Sequence, residues 1–383
     1  MTKSFVHLHA HTEYSMLDGA AKIVDYLKKV KELNQPAAAI TDHGNLYGAM
    51  EFVQKANDFG IKPIIGYEAY ITPGSRFDRP DRENNKRYHL TLLAENNIGY
   101  QNLVELVSKA YTEGYYYKPR IDYELLDQHH DGLIALSGCL GGELAQHLAP
   151  DGSVEEGNTS NERSFEKALD IAKKYQSIFG KENYFIEIHN HGIKQQLDIL
   201  DDLVEIAQLI DAPLVAANDS HYVEENGAEA HDALLCVQTN RTLDDESRFR
   251  FDGSGYYVKS AEEMRKLFPE DKYPGACDNT LAIADRVNYE FNFDNSYLPD
   301  FPIEDKNVSP EELLKIKVYE GGESKYGTLT SEIIERIDYE LDVINSMGFA
   351  SYFLIVGDLI EFSKKRNIRT GAGRGSAAGS IVS

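Results

Sequence analysis

Three histidines alternate along a short apolar run near the start of the chain, Phe5-Val6-His7-Leu8-His9-Ala10-His11. Alternation is the period of a β-strand, so the three imidazoles are expected on one face of a strand. Each buried imidazole needs partners for its polar nitrogens, and an apolar strand does not supply them. A divalent metal does, and histidine is a common ligand of zinc, iron and manganese. The pattern therefore predicts a metal site at the end of this strand, whereas a single histidine would favour an ordinary core position.

Strand-like apolar runs alternate with amphipathic helical segments through the first two-thirds of the chain. Strands that alternate with helices in this way form a parallel sheet, open or closed into a barrel. We expect an α/β barrel, because polar side chains follow most of the strands at their carboxyl ends, where such barrels hold their sites. His89 is an exception, since it lies at the start of its strand. The predicted strands are Phe5–His9, Ala37–Thr41, Pro63–Ile71, His89–Ala94, Gly132–Leu136, Tyr184–Ile188 and Pro213–Ala217.

The pattern changes after about Phe251, and predicted helices dominate from Ala261 onward. A chain of 383 residues is long enough for two domains, and we expect a boundary between residues 275 and 300. The polar stretch Asp151–Asn161 is interpreted as a surface insertion. Near the end of the chain, the Gly-rich run Gly371–Ser380 offers backbone N–H groups to a phosphate, but it lacks the Gly-Lys-Ser/Thr ending of a P-loop.

The net charge of −24 argues against a broad nucleic-acid-binding face, because phosphate backbones require lysine and arginine. Two basic stretches, Arg76–Arg87 and Lys364–Arg374, keep a local phosphate site open. Three cysteines are too few for a disulfide framework and favour a reducing compartment. We see neither a signal peptide nor an apolar run long enough to span a membrane, so a cytoplasmic location is expected.

Metal-capable side chains follow or begin most of the predicted strands. Ligands scattered in this way are typical of a catalytic centre assembled by the fold, whereas structural zinc sites favour closely spaced cysteines. The candidate ligands are too many for one four-coordinate ion, so two or three divalent ions (zinc, manganese or iron) are expected. Such clusters of divalent ions suit phosphoester hydrolysis. Cys139 is either a small buried hydrophobe or a functional thiol, and its place in a Gly-rich turn favours the second. The candidates by position are His9, His11, Asp18, Asp42, His43, Glu68, His89, Cys139, Asp219 and His221.

Several residues have more than one interpretation. His189 and His191 are interpreted as metal ligands, as residues that support the ligands, or as exposed loop residues. Lys118 and Arg120, beside Tyr115-Tyr116-Tyr117, either contact a nucleic-acid backbone while a ring stacks on a base, or belong to a packed aromatic corner. Four further histidines are interpreted as surface or helix residues: His129, His130, His147 and His231.

Several of these motifs together resemble the polymerase-and-histidinol-phosphatase (PHP) domain, and more narrowly that domain in bacterial C-family replicative DNA polymerases, the DNA polymerase III alpha subunits. Two later segments, Met347–Leu354 and Gly371–Ser380, resemble the start of the polymerase palm. The motifs of the PHP domain are His9-Ala10-His11-Thr12, Ser15–Gly19, Thr41-Asp42-His43-Gly44, Gly66-Tyr67-Glu68, His89–Leu92, Ser137–Leu140 and Asn218-Asp219-Ser220-His221.

The resemblance implies an α/β fold with a seven-stranded (βα) PHP barrel over residues 1–285. A mainly helical segment then leads into a truncated palm of the nucleotidyltransferase type, over residues 286–383. His7 and Asp42 are not among the nine metal ligands and catalytic residues that the family implies. Those nine are His9, His11, Asp18, His43, Glu68, His89, Cys139, Asp219 and His221. The implied contacts to the phosphates of an incoming nucleotide are Gly373, Arg374, Gly375, Ser376, Gly379 and Ser380.

The implied activity is metal-dependent 3′→5′ exonuclease proofreading by an N-terminal fragment of a replicative DNA polymerase subunit. The implied partners are primer–template DNA, an incoming dNTP in the full-length subunit, and a sliding clamp and other replisome subunits that bind the missing part. The fragment is not expected to polymerise DNA, because the catalytic aspartates of the family lie beyond Ser383. Two alternatives stay open: a structural module that stabilises the palm and docks a separate proofreading subunit, and a small-molecule phosphatase, against which the palm-like residues count.

Overall fold

The computed structural model describes residues 3–81, 84–150, 162–291, 293, 299–371, 373 and 375–383. The predicted surface insertion at 151–161 and the predicted phosphate contact Arg374 lie outside the described residues. The chain divides into two compact units, Met1–Glu290 and Phe291–Ser383, which are described separately.

The first unit alternates strands with helices, as the sequence predicts. Six of the seven predicted strands are present within about two residues of their expected bounds, and β4 is an addition. Its strands are β1 Ala37–Ile40, β2 Lys62–Ile71, β3 Tyr88–Ala94, β4 Arg120–Ile121, β5 Leu133–Leu136, β6 Tyr184–Ile188 and β7 Leu214–Ala216. Its helices are α1 Ile23–Glu32, α2 Ala49–Phe59, α3 Asn97–Thr112, α4 Tyr123–Gln128, α5 Glu143–Leu148, α6 Phe165–Phe179, α7 Lys194–Ile210, α8 Ala228–Thr239, α9 Ala261–Leu267 and α10 Asp278–Arg286.

The strands form one curled sheet in the order β1-β2-β3-β5-β6-β7, with β4 paired to β2. The expectation of an all-parallel sheet is wrong at β3, which runs antiparallel to both β2 and β5. This reversal places the start of β3 beside the end of β2, where His89 pairs with Tyr70. His89 therefore reaches the same end of the sheet as the residues that follow the parallel strands, although it lies at the start of its own strand.

The N-terminal segment Phe5–His11 is extended, but it makes isolated pairings and not the regular strand that its sequence predicts. On one side, the N–H of Ala39 in β1 donates to the carbonyl of His7 at 3.0 Å. On the other side, the N–H of Ser220, just after β7, donates to the carbonyl of His9 at 3.2 Å. The segment thus joins the two ends of the strand order, which gives the α/β barrel arrangement predicted for this part of the chain.

Helix α10 covers the amino ends of the strands, opposite the predicted site. Lys62, which begins β2, donates to the carbonyl of Ala284, and Arg286 donates to the carbonyl of Glu182, just before β6, at 2.6 Å. Burial of each aliphatic side chain in this core stabilises the fold by about 1.5–3 kcal/mol. The barrel core contains Val6, Leu8, Ala37, Ala39, Ile64, Leu93, Ile134, Leu136, Phe185, Val215, Ile283, Ala284 and Val287.

The second unit is helical where it is described, with a small apolar core. Its elements are α11 Pro310–Tyr326, α12 Ser331–Ser346, α13 Ala350–Lys365 and a 3-10 turn, Gly375–Gly379. Ser309 begins α11 with a capping box to Glu312, which satisfies N–H groups that the first turn leaves without partners. Within the described residues, no single helix is long and apolar enough to cross a membrane, although α12 and α13, bent by 114°, pass that test as a pair by length and composition.

Candidate metal centre

The residues predicted as metal ligands converge at the end of the barrel that α10 leaves open. Four groups each bring their ligand atoms within 4.8 Å of one another, and three histidines are shared between groups. Sharing makes the four groups one continuous cluster, which is larger than a single metal ion would need. Three groups consist of predicted ligands alone, and the fourth adds two residues outside the predicted nine. The groups are His9, His11 and Asp219; His11, His43 and His221; His43, Glu68 and His89; and His9, Glu187 and His189.

Asp18 and Cys139 complete the predicted set of nine. The Oδ2 atom of Asp18 lies 2.7 Å from Nε2 of His43 and 3.3 Å from Nε2 of His221. The Sγ atom of Cys139 lies 3.6 Å from Nδ1 of His89 and 3.6 Å from Oε1 of Glu68. The structure therefore brings together all nine residues that the sequence singles out, from segments spread over more than 200 positions of the chain.

Two buried carboxylates lie between the histidines of the cluster. Asp219 Oδ1 is 3.1 Å from Nε2 of His11 and 3.4 Å from Nε2 of His9. Glu68 Oε2 is 2.6 Å from Nδ1 of His43, and its Oε1 is 3.0 Å from Nδ1 of His89. Burial opposes the charge on both carboxylates, but the surrounding imidazoles hold the pKa of each well below its usual range. Both therefore face the cluster as anions, which is the form that binds a cation.

Several of these ligand atoms are buried without a hydrogen bond among the described residues. They face one another at short range without the geometry of a hydrogen bond, and each such atom costs about 1–3 kcal/mol. A bound cation would satisfy these atoms together, so the residues present fit divalent metal ions. The atoms are His9 Nε2, His11 Nε2, His43 Nδ1, Glu68 Oε2 and Asp219 Oδ1.

Asp42, a ligand candidate by position, supports the cluster from outside. It accepts hydrogen bonds from the Ser15 hydroxyl at 2.7 Å and from the Thr12 N–H at 2.7 Å. Because the single hydroxyl proton of Ser15 goes to Asp42, the Nδ1 atom of His11, 2.9 Å from Ser15 Oγ, must be the donor in that contact. The lone pair of His11 is then on Nε2, which points into the cluster. Asp42 thus selects the tautomer of a ligand.

Glu187 orients His9 in the same way, although it is not among the residues predicted from the sequence. Its Oε1 lies 2.7 Å from Nδ1 of His9, and its Oε2 accepts the N–H of Gly138 at 3.0 Å. Burial opposes its charge, but His9 and His189 lower the pKa of Glu187 to about 2. A carboxylate on a metal-binding histidine is a common supporting contact. The sequence feature that could have identified Glu187 is its charge, inside the otherwise apolar strand β6.

The loop that carries Asp18 is fixed by a histidine of helix α8. His231 is buried, and its Nε2–H donates to the carbonyl of Asp18 at 2.7 Å. The sequence predicted a surface or helix residue at this position; His231 lies in helix α8 but not at the surface. His221 donates from Nδ1 to the carbonyl of Asp219 at 2.8 Å, which leaves its Nε2 toward Asp18. Asp219 has φ of +44°, a strained backbone that is typical of functional sites.

Three other histidines near the cluster are not among the nine. His7 is buried and donates from Nε2 to the carbonyl of Lys259 at 2.9 Å, so it does not share the cluster with His9 and His11. His189 has Nε2 3.1 Å from Oε1 of Glu187, and with Glu187 and His9 it forms a further group that could hold a metal ion. His191 donates to the carbonyl of Asn218 at 2.8 Å and stacks on Tyr256, which is a structural role. Neither residue is an exposed loop histidine.

Of the two predicted DNA contacts, Arg120 is ruled out by burial. Its guanidinium donates to the carbonyl of Gly114 at 3.1 Å, to Oδ1 of Asn85 at 3.0 Å and to the carbonyl of Asp78 at 2.7 Å. Arg120 is thus part of the packed aromatic corner that was the alternative. Lys118 is half-buried, and its Nζ lies 3.1 Å from the hydroxyl of Tyr70.

The predicted phosphate-binding run lies in the second unit and stays a prediction. Gly375 has φ of +68°, which suits glycine, and both Gly373 and Gly379 are exposed. The Ser380 hydroxyl donates to Oε2 of Glu340 at 2.7 Å, so this end of the run is tied to α12. Besides Arg374, the side chain of Ser376 also lies outside the described part of the chain.

Two family models match parts of this chain. Residues 7–191 match the model of the PHP domain, and residues 312–383 match that of the bacterial DNA polymerase III alpha NTPase domain. A two-domain protein from Bacteroides vulgatus that contains a predicted PHP-like metal-dependent phosphoesterase has a TM-score of 0.34 and 10% identity. That match covers 74% of this chain and 69% of the other.

Full-length relatives are similar over almost all of this chain. The DNA polymerase III subunit alpha of Mycobacterium tuberculosis is 46% identical and that of Treponema pallidum 44% identical, each over 99% of the chain. The match spans about a third of the length of each relative, 32% and 31%. The chain therefore belongs to the bacterial DNA polymerase III alpha family and carries its PHP domain together with part of its NTPase domain.

Proposed function

We propose that the first unit is a metal-dependent phosphodiesterase that removes nucleotides from the 3′ end of DNA, and so proofreads for a replicative polymerase. The observation that carries this proposal is the convergence of nine donor side chains, five of which present buried ligand atoms without a hydrogen bond among the described residues. A purely structural barrel would gain nothing from such atoms, since each one destabilises the fold unless a ligand satisfies it. The proposed ligands and catalytic residues are His9, His11, Asp18, His43, Glu68, His89, Cys139, Asp219 and His221.

When bound, two or three divalent ions (zinc, manganese or iron) would supply Lewis acidity and lower the pKa of a water at the phosphodiester. The chain itself keeps the ligands in position for this chemistry. Asp42 through Ser15, and Glu187 directly, keep His11 and His9 with their Nε2 lone pairs toward the cluster. Because burial raises the pKa of the Cys139 thiol to about 11, this residue holds its proton until a cation replaces it.

DNA is the proposed substrate because relatives of this chain are DNA polymerase III alpha subunits. In the longer protein, we propose that primer–template DNA is bound largely by parts beyond this chain, which is consistent with its net charge of −24. The Gly373–Ser380 run would contribute to binding an incoming dNTP there. A sliding clamp and other replisome subunits would be further partners, and the location would be cytoplasmic.

The test is digestion of a 3′-mismatched primer–template by the chain with manganese or zinc. Loss of 3′ nucleotides is expected, and a chelator or Asp219→Asn should abolish it, because the Asp219 carboxylate contacts two ligand histidines. Asp211→Asn is the matched control, since Asp211 is exposed at the end of α7. Digestion that persists in Asp219→Asn would contradict the proposal.

The same assay on the full-length subunit distinguishes the proposed activity from the alternative of a structural module. Bound metal without digestion in both proteins would support the alternative, a module that stabilises the palm and docks a separate proofreading subunit. Digestion only by the full-length protein would keep the proposal and show that the polymerase body presents the DNA.

A further inference from the structure

We propose that three exposed tyrosines, Tyr47, Tyr111 and Tyr115, form a stacking surface for the bases of single-stranded DNA beside the metal centre. We call these three residues the tyrosine row. The inference rests on the proposed function, and it adds how an unpaired 3′ strand is held while its end reaches the metal ligands.

The rings of the tyrosine row are exposed and adjacent. Their exposed fractions are 59% for Tyr47, 39% for Tyr111 and 54% for Tyr115. The ring centres of Tyr47 and Tyr111 are 6.5 Å apart, and those of Tyr111 and Tyr115 are 6.0 Å apart with their planes inclined by 23°. Exposed aromatic rings grouped in this way usually mark a binding surface, because single-stranded nucleic acids stack their bases on such rings.

The row begins four residues after a ligand histidine. Tyr47 lies in the turn that carries His43 after β1, and the ring of Tyr70 stacks against His43 with centres 6.1 Å apart. A β-carbon at Gly44, next to His43, would lie 2.8 Å from Cγ of Pro119, so the loop after Tyr115 packs directly on this turn. A strand stacked on the tyrosine row could therefore extend from the loops around Gly44 and Pro119 toward the ligand histidines.

The segment that carries Arg79 packs against the loop of the tyrosine row. The Tyr116 hydroxyl donates to the carbonyl of Pro80 at 2.7 Å, and the guanidinium of Arg79 lies 5.5 Å from the Tyr116 ring centre. Lys118 adds a further positive charge at Tyr70. This local charge suits a phosphate backbone on a chain that is otherwise acidic.

The expected occupant is unpaired DNA rather than duplex or a protein. Only unpaired bases offer their faces to aromatic side chains, since a duplex keeps its bases stacked inside. The cations Arg79 and Lys118, at the neighbouring rings of Tyr116 and Tyr70, suit phosphates better than an apolar protein surface. A mismatched 3′ end frays into single strand, and this is the substrate that proofreading requires.

The chain contains no tryptophan, so a substituted indole is a clean reporter of stacking. Tyr115→Trp places the only indole in the tyrosine row, and Leu209→Trp places it at an exposed position of α7 (56% exposed). Saturable quenching of fluorescence by phosphorothioate-linked oligothymidine is expected for Tyr115→Trp and not for Leu209→Trp. Equal quenching of both, or quenching of neither, would overturn the inference.

Alanine and phenylalanine variants test the same surface without a reporter. Tyr47→Ala and Tyr115→Ala should each bind oligothymidine about 5- to 100-fold more weakly, because each loses one stacking ring. Tyr47→Phe and Tyr115→Phe should bind within about twofold of the native chain, since they keep the ring. Equal binding by the alanine variants would contradict the inference.

Hydrolysis of a small phosphodiester, bis(p-nitrophenyl) phosphate, tests the proposed function independently of this inference. Its hydrolysis needs the metal cluster and no stacking surface, so all four tyrosine variants should hydrolyse it at the native rate. Failure of the native chain to hydrolyse it would count against the proposed function. If the native chain hydrolyses this compound and the alanine variants bind oligothymidine as the native chain does, only the inference about the tyrosine row would be overturned.

Discussion

Glu187 lies with Oε1 2.7 Å from Nδ1 of His9, at a position where no metal ligand is predicted. We expect Glu187→Gln to weaken metal binding about 10- to 100-fold. The amide must turn its NH₂ group toward either His9 Nδ1–H or the N–H of Gly138, and both are donors. Competition with a chromogenic chelator measures the affinity. Glu182→Gln, at an exposed position before β6, is the control, and unchanged affinity in Glu187→Gln would show that Glu187 serves only the fold.

Ser15 links Asp42 to His11, so its removal should act on both stability and metal binding. Ser15→Ala leaves Nδ1–H of His11 and one oxygen of Asp42 without this buried partner. We expect the free energy of unfolding to fall by about 1–3 kcal/mol in urea, with weaker metal binding. Ser177→Ala removes a hydroxyl from an exposed position of α6 and is the matched control. Native stability in Ser15→Ala would mean that water replaces the hydroxyl.

Lys259 should make stability depend on pH. Its Nζ is buried and donates to Asn218 Oδ1 at 3.1 Å, and burial lowers its pKa from 10.5 to about 8. Between these two pH values the unfolded chain binds the proton more tightly than the folded chain does, so stability rises with pH. Below about pH 8 both states hold the proton, and this contribution does not change.

The variant Lys259→Met isolates that effect. The free energy of unfolding of the native chain, relative to this variant, should rise between about pH 8 and pH 10 by at most about 3 kcal/mol. Lys173→Met, at an exposed position of α6, controls for the loss of a positive charge. A constant difference between the native chain and Lys259→Met over this range would show that the ammonium is solvated.

Gly99 lets the start of α3 approach the turn before β5. A β-carbon at Gly99 would lie 1.8 Å from the carbonyl oxygen of Gly132, so Gly99→Ala must displace backbone. We expect a loss of several kcal/mol, seen as a lower melting temperature by circular dichroism. Gly357→Ala in α13 meets no atom within 4 Å and should instead stabilise its helix by about 0.5–1 kcal/mol. Equal melting temperatures for both variants would contradict this packing argument.

The sequence alone determined which residue types could form the metal centre and roughly where the strands lie. Polar residues after apolar runs are a local pattern that survives folding, because strand ends are local properties. The alternation around His9 and His11 also identified two residues of the cluster, although no regular strand forms there. Short motifs at these positions were also enough to identify the family. Strand bounds followed from the same patterns for six of the seven predicted strands.

Tertiary structure decided how those residues are used. The direction of β3 depends on which strands it pairs with, and a period of two is the same in either direction. His7 alternates with His9 in the sequence, but its Nε2 bonds to the carbonyl of Lys259 and not to the cluster, because alternation does not encode which distant residues a side chain meets. Glu187, buried in β6, supports His9 across the barrel, since pairing of distant segments and not local pattern brings these two side chains together.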